Sequence, residues 1–359
     1  METQNSKIGI ALSGGGIRAT IFHLGVFKYL AEKDMLHQIT HISSVSGASL
    51  CVALLFAHNS NKWPTDKQYL DDVLPRIEKT ILKNNIQTAA LVRLPFSPAY
   101  WGNKAALIAK MMREKWQVTG GLQDLPDTPR WEINCATFET GKNFRFTKER
   151  MGDYQIGHVK NPAFPLAEAA AASAGFPILI GPLKFDARKY QWDKEQKETT
   201  YYLWDGGVYD NMGIESLYKP GKGLADTDFL VVSNASAPSG YLHRNGLSSA
   251  KNLKRLLDIT MDQVSGLRSR DIVANVMNQD KGLYINIGNN AEKIANAEDS
   301  KADARTAKEL IAACMSAEQA QKVRAYETTL SSPTPENFRL ILRHGYENAW
   351  CCDKCYGRG

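Results

Sequence analysis

The sequence predicts an α/β fold: three layers, α/β/α, around a mainly parallel central sheet, with a helical appendage at the C-terminal end. Three observations predict it. Lys7 to Leu12 is a short apolar run that leads into Gly14, Gly15 and Gly16, the pattern of a central strand buried on both faces. The order strand, helix, strand, helix up to Ala57 implies parallel strands joined by right-handed crossovers. Beyond Gly288 the composition shifts to alanine and charge, which marks a separate helical segment.

The elements follow in order. From Ile17 to Ala31 apolar side chains occur on nearly every side (Ile21, Phe22, Leu24, Val26, Phe27, Leu30), which describes a helix enclosed in the core. Glu32, Lys33 and Asp34 end it. Ile39 to Val45 is a second strand, and Gly47 to Ala57 a second buried helix of small and aliphatic residues. Residues 60–118 read as an insertion between core elements, broken by Pro95 and Pro98. Arg130 to Cys135 and Asn143 to Thr147 read as paired strands joined through Thr140 and Gly141. The lack of bulk from Pro165 to Ala174 predicts a closely packed helix, stopped by Gly175, Phe176 and Pro177. Tyr201 to Trp204 is a strand that ends in Asp205, Gly206 and Gly207, and Asp228 to Ser233 is another buried strand. Leu253, Leu256, Leu257, Met261, Val264 and Leu267 stand at helical spacing between Ser249 and Met277, and Leu283 to Ile287 closes with a strand. Ser316 and Gln319 are spaced as a capping box. A last helix begins near Pro335, and Leu310, Ile311 and Leu342 are expected to pack the appendage on the core. The expected division is residues 1–290 for the main domain and 291–359 for the appendage with its cysteine-containing tail.

Composition bounds the function. An apolar fraction of 43% over 359 residues is ample for a continuous core. A net charge of +6 and a pI near 8.8 favour anionic surfaces such as membranes without demanding a nucleic-acid polymer as partner. Met1 to Lys7 is polar, unlike a signal peptide, and no stretch approaches the roughly 18 apolar residues of a spanning helix. The six cysteines are scattered, and a disulfide framework is not expected in a core this large, so a reducing, cytoplasmic setting is expected. Cys352 and Cys355, with Cys351 and His344 nearby, have zinc-ligand character but lack a second pair, and a disordered tail is expected.

The chemistry lies in three turns. Gly14, Gly16 and Ala19 fit a Gly-x-Gly-x-x-Ala pattern between strand and helix, shared with dinucleotide sites. Such a site also needs an acid ending the second strand, and here that strand ends in Ser43-Ser44-Val45-Ser46. The glycines then read either as a structural turn or as an oxyanion site, because Gly15 and Gly16 leave their amides uncovered by side chains. Ser46 lies in the second turn between Ser44 and Ala48. A nucleophile elbow wants small residues at plus and minus two. Taken alone, though, a serine in such a turn is more often a helix cap. The third turn, Asp205-Gly206-Gly207, delivers a carboxylate at a strand terminus, where open α/β sheets place their active sites. Donors beside a nucleophile and a base are what acyl transfer needs.

Ser13 to Arg18, Ser44 to Ser49 and Asp205 to Asn211 resemble the three signature blocks of patatin-like phospholipases, and Ala169 to Pro177 resembles that family's segment ahead of the aspartate block. The likeness extends over about residues 7–290. It implies the patatin-like α/β/α fold and a Ser–Asp dyad without histidine or metal. Ser46 would be the nucleophile, Asp205 the base, and Gly14, Gly15, Gly16, Ile17 and Arg18 the oxyanion hole. Gly47, Gly206 and Gly207 would support the turns, with Ser49 a rival nucleophile and no cofactor bound. None of the seven histidines (23, 37, 41, 58, 158, 243 and 344) sits in a small-residue turn after a late strand, where a Ser-Asp-His hydrolase keeps its base. Arg18 would orient the glycine loop, meet a phosphate or form an ion pair. The implied activity is hydrolysis of fatty-acyl esters of membrane phospholipids by a peripheral membrane enzyme. Relatives of this kind include bacterial toxins and defence effectors held inactive until signalled, so self-association and a small-molecule activator are expected by analogy. A silent lipid-binding module and a dinucleotide oxidoreductase are the alternatives.

Between Lys79 and Val118 the insertion carries seven basic residues and one acid, Glu114, interleaved with Leu94, Phe96, Tyr100, Trp101, Met111, Met112 and Trp116. It reads either as a surface that docks on anionic lipid or as a basic face over ordinary core aromatics.

Overall fold

The computed structural model of the chain describes residues 6–177, 180–237, 240 and 249–357. The first four elements are β1 (Ile8–Leu12), α1 (Gly16–Glu32), β2 (Ile39–Val45) and α2 (Gly47–Ala57). The helical insertion follows as α3 (Asp66–Gln68), which runs through a π turn into α4 (Leu74–Lys83), then α5 (Ile86–Arg93) and α6 (Lys104–Trp116). Next come β3 (Arg130–Thr137), β4 (Asn143–Phe146), β5 (Arg150–Asp153), β6 (Gly157–Lys160), α7 (Leu166–Ser173), β7 (Leu183–Asp186), β8 (Thr200–Asp205) and the single turn α8 (Gly207–Asp210). A small ribbon, β9 (Tyr218–Lys219) and β10 (Gly223–Leu224), precedes β11 (Phe229–Asn234), the long α9 (Ser249–Asn275) and β12 (Gly282–Asn286). The appendage comprises α10 (Ala291–Ala295), α11 (Ala304–Ala313), α12 (Ala317–Arg324) and α13 (Pro335–Tyr356).

The sheet runs β12-β11-β1-β2-β3 with every neighbour parallel, and continues from β3 through antiparallel β4, β5 and β6. Strand β8 pairs antiparallel with both β3 and β7. Along β1, Ile8, Ile10 and Leu12 enter the larger core and Ala11 enters a second cluster with Met212, Leu230, Val232, Ile272 and Val276. This alternation is the period-two signature of a strand covered on both faces. Helices α1, α2, α7 and α13 cover one face, and α9 covers part of the other. The expected three-layer α/β/α architecture with a helical C-terminal region is present.

Four local readings differ from expectation. The insertion is divided: Met111, Met112 and Trp116 are core, whereas Phe96 and Trp101 are 86% and 60% exposed. On α9 the helical spacing was legible but its burial was not, since Leu253, Leu256 and Leu267 are exposed and Ile272, with Val276 just past the helix end, packs against the sheet. In the appendage Leu310 and Leu342 pack on the core, while Ile311 is exposed. The expected disordered tail is helical: Cys351, Cys352 and Cys355 are buried within α13 as free thiols. The Ser316–Gln319 capping box forms as read. Among the described residues no helix is long and apolar enough to cross a membrane.

Candidate active site

Two strands of opposite direction share one edge of β3, and this brings the second and third turns together. Ile133 pairs with both Ser44 of β2 and Phe146 of β4, and Cys135 pairs with both Asp205 of β8 and Phe144 of β4. Because a strand has only two edges, β2 and β8 must both lie opposite β4. Strand β2 ends with Val45 beside Asn134, and β8 ends with Asp205 beside Cys135. Adjacent positions on a strand are about 3.3 Å apart, so the two strands terminate head to head and release Ser46 and Asp205 at the same point.

Ser46 sits at φ 55° and ψ −122°, a backbone conformation that non-glycine residues adopt only under constraint. It occupies the N-cap position of α2 yet makes no side-chain capping bond, which leaves its hydroxyl unengaged by the helix and removes the plain helix-cap reading. Its residue is 9% exposed, through the cavity. Asp205 is 1% exposed; its Oδ1 accepts the Gly207 N–H at 2.8 Å, and Oδ2 has no well-aligned hydrogen-bond partner among the described residues. Burial pushes the Asp205 carboxyl up to about 7, against smaller opposing effects from the Gly207 N–H and the nearby Ser46 hydroxyl. A carboxylate poised there can act as a base near neutrality.

The glycine loop closes over the pair. Gly15 and Gly16 have φ of 142° and 61°, which only glycine adopts without strain. A Cβ on Gly14 would stand 2.9 Å from the Ser46 Cβ, and one on Gly47 would stand 2.1 Å from the Gly16 carbonyl oxygen. The loop and the serine turn are thus in backbone contact. The expected donors divide, however. Gly14 N–H donates to the Asn211 carbonyl at 3.0 Å and Ile17 N–H to the Thr329 carbonyl at 2.8 Å. Among the described residues the backbone N–H groups of Gly15, Gly16 and Arg18 have no protein acceptor, so these are the amides available to a ligand. Gly206 donates its N–H to the Ser173 carbonyl at 3.3 Å.

Of the three roles expected of Arg18, the ion pair is absent among the described residues, while its side chain lies against the glycine loop and lines the cavity. Its guanidinium is buried and donates to the carbonyls of Arg324 and Tyr326, and Nε has no partner. No carboxylate lies within ion-pair distance of it among the described residues. Burial lowers its pKa to about 10, which leaves it charged at neutrality. Ser49 is fully buried and hydrogen-bonded to Ser44 and Ser173, so it is no rival nucleophile. His23 is held between the Ser13 carbonyl and the Ser233 hydroxyl, and burial lowers its pKa to about 4. Among the described residues no histidine lines the cavity; His243 lies outside the described residues.

The cavity itself measures about 600 Å³ and is lined by Ser46, Asp205, Gly15 and Gly16 among others. Leu91 and Leu94 of the insertion and Leu107 and Ile108 of α6 form an apolar wall. Helix α9 adds Lys254, Asp258 and Met261, and the segment before α13 adds Glu327 to Leu330. Gln87 ties that segment down, accepting from the Thr329 hydroxyl at 2.8 Å and the Leu330 N–H at 2.7 Å. Sequence reasoning missed Ser173, Asn211, Gln87 and Thr329. Only Asn211 and Ser173 lie inside the recognised blocks, and nothing in the local sequence links Thr329 to a turn over 300 positions earlier.

The family model that matches this sequence is described as patatin-like phospholipase and spans residues 10–218. No curated protein matches the sequence. The solved structure of human GIVD cytosolic phospholipase A2 superposes on 97% of the chain with a TM-score of 0.54 at 14% identity, over 59% of its own length. The same human enzyme in complex with methyl γ-linolenyl fluorophosphonate inhibitor and terbium chloride aligns over 99% of the chain with a TM-score of 0.53 at 13% identity, over 58% of its length. VipD from Legionella pneumophila aligns over 98% of the chain and 67% of its own, at 15% identity and a TM-score of 0.44. The chain spans about three fifths of the human structures, and at this identity the likeness to them is one of fold.

Proposed function

The chain belongs to the patatin-like phospholipase family, and from that premise we propose that it is a phospholipase A-type lipid acyl hydrolase working through a Ser46–Asp205 dyad. The reading rests chiefly on the head-to-head ends of β2 and β8, which deliver a hydroxyl and a carboxyl of raised pKa to one apolar cavity.

In the proposed reaction Asp205 takes the Ser46 proton as Oγ attacks the ester carbonyl. Negative charge on the carbonyl oxygen meets the unoccupied amides of the Gly15–Arg18 turn, each such donor contributing on the order of 3 kcal/mol. The buried Arg18 guanidinium adds fixed positive charge beside that turn. Collapse breaks the ester bond, and Asp205 returns the proton to the departing lysophospholipid oxygen, leaving an acyl-serine. Water, deprotonated by Asp205, then attacks the acyl carbonyl; the fatty acid leaves and Ser46 regains its proton. The wall of Leu91, Leu94, Leu107 and Ile108 suits an acyl chain, and the charged groups on α9 suit the head-group side.

The same reading extends to a peripheral membrane enzyme. Exposed Leu91 at the cavity, exposed Phe96 and Trp101 further along the insertion, and exposed Leu253 and Leu256 on α9 stand among lysines and arginines in the sequence, as an anionic lipid surface requires. Residues 291–359 would then serve as a structural partner of the catalytic unit, since Thr329 and Leu330 reach the cavity.

A fluorophosphonate probe tests the chemistry. Wild-type protein should label in the presence of liposomes, Ser46→Ala should not, and Ser49→Ala should. Failure of the wild type to label on liposomes, with lipids left intact by mass spectrometry, would favour a silent lipid-binding module instead.

A further inference from the structure

The strained serine turn raises a question that the dyad alone does not answer: what holds the Ser46 backbone at φ 55°. Its N–H has left the strand ladder and has not entered the helix. It donates instead to the Ser173 hydroxyl oxygen at 3.0 Å, at the C-terminal end of α7. That hydroxyl belongs to a buried chain. The Trp131 indole N–H donates to Ser44 Oγ at 2.8 Å, Ser44 Oγ contacts Ser49 Oγ at 2.8 Å, Ser49 Oγ contacts Ser173 Oγ at 2.8 Å, and Ser173 donates to the Asn134 carbonyl at 2.7 Å.

The carbonyl end of the chain fixes its direction, because the one Ser173 hydroxyl proton goes to the Asn134 carbonyl. An indole nitrogen can only donate, and a carbonyl oxygen can only accept. Ser44 must therefore donate to Ser49, and Ser49 to Ser173. The Ser173 oxygen consequently has no proton free for other use and presents its lone pairs to Ser49 and to the Ser46 N–H. Ser44, Ser49 and Ser173 are all 0% exposed, so no water competes. The same helix end also holds the other half of the dyad: the Ser173 carbonyl accepts from Gly206 N–H, and the Gly175 carbonyl accepts from Asp205 N–H at 3.1 Å.

We infer that Ser173 is a positioning residue, which through its hydroxyl holds the Ser46 N–H and through its carbonyl the Gly206 N–H that follows Asp205, and so sets the two turns at one spacing. This rests on the acyl-hydrolase reading for its consequence, though not for its geometry. A misplacement of the nucleophile by a fraction of an ångström to one ångström costs on the order of 100-fold in rate. Ser44 and Ser49 belong to the same chain and are equally buried, but neither bonds the Ser46 backbone N–H.

The test is a comparison of Ser173→Ala, Ser49→Ala and Ser44→Ala in the full chain, read by fluorophosphonate inactivation rate, kcat, KM, Tm and amide hydrogen exchange of the peptide containing Ser46. Ser173→Ala should lower kcat and the inactivation rate about 30- to 100-fold with KM within twofold, and should release protection at the Ser46 amide. Ser49→Ala and Ser44→Ala should keep the rate within about threefold whatever they do to Tm. Should Ser173→Ala not fold, Ser173→Cys, a weaker acceptor of nearly the same size, is read in the same way. Loss of rate in proportion to loss of Tm across all three variants would overturn the inference, as would unchanged exchange at Ser46 in the Ser173 variant. Wild-type protein that never labels, together with selective loss of protection in Ser173→Ala, would overturn the hydrolase reading and leave the brace standing.

Discussion

At the scale of single residues, the proposed role of Asp205 sets activity and stability against each other. Its carboxyl is raised by burial from 3.8 to about 7, so between those values the folded chain holds a proton that the unfolded chain has released. The stability this contributes is fully present below about pH 3.8 and is lost as pH rises through about 7. Turnover by the proposed dyad runs the other way, because only an ionised carboxylate could take the Ser46 proton. The expected profile of kcat/KM therefore falls with unit slope below about pH 7. Asp205→Asn should abolish turnover yet raise stability at pH 8 by on the order of 2 kcal/mol, since it removes a buried charge. Thermal melts at pH 8 and pH 5 check the sign: the gain should shrink at pH 5, where the wild-type carboxyl is already neutral, and an equal gain at both would rule out the buried-charge account.

At the scale of elements, the helical appendage is joined to the catalytic layer by a crossing too close for side chains. A Cβ on Gly345 of α13 would stand 2.0 Å from the Phe22 carbonyl oxygen of α1, and one on Gly25 would stand 2.0 Å from the Leu342 carbonyl oxygen. Helix α1 begins at the glycine loop, so this contact carries α13 to within one helix of the site. Gly345→Ala must separate the helices and should cost about 1–3 kcal/mol, visible as a lower midpoint in urea, with partial loss of fluorophosphonate labelling. Full retention of both would mean that the crossing adjusts without strain. Elements differ in how much of this was legible. Helix α1 is apolar all round, so its burial followed from composition alone. The stripe of leucines on α9 defined a helix but not which face met the protein, because an apolar face can serve a core or a lipid surface equally well. Cys351, Cys352 and Cys355 misled for the opposite reason: three chain-end cysteines do not announce that the helix carrying them is buried.

At the scale of the molecule, the cavity opens between two rims that come from distant parts of the chain, the insertion and α9. Phe96 and Trp101 bury little of their apolar surface in the fold, and the Trp101 indole N–H holds the Leu94 carbonyl at 2.8 Å, so the loss of their rings should tell chiefly in assays with a lipid surface. Phe96→Ser combined with Trp101→Ser should reduce co-sedimentation with anionic vesicles and turnover on them about tenfold or more, on the order of 1.4 kcal/mol or more of lost burial. Hydrolysis of a soluble short-chain ester should be unchanged. Equal losses on both substrates would place these side chains in the cavity rather than on the membrane.

The sequence by itself determined the parallel strands and helices that frame the candidate site and the three small-residue turns between them, because each depends on neighbours a few positions away, whereas the short strands β5, β6 and β7 were not legible in it. Tertiary structure alone decided which amides of the glycine loop stay open, what braces Ser46 and where the appendage enters the cavity. Those contacts join residues separated by up to 312 positions, as Thr329 and Ile17 are. They depend on strand register and helix crossing, which local pattern leaves undetermined.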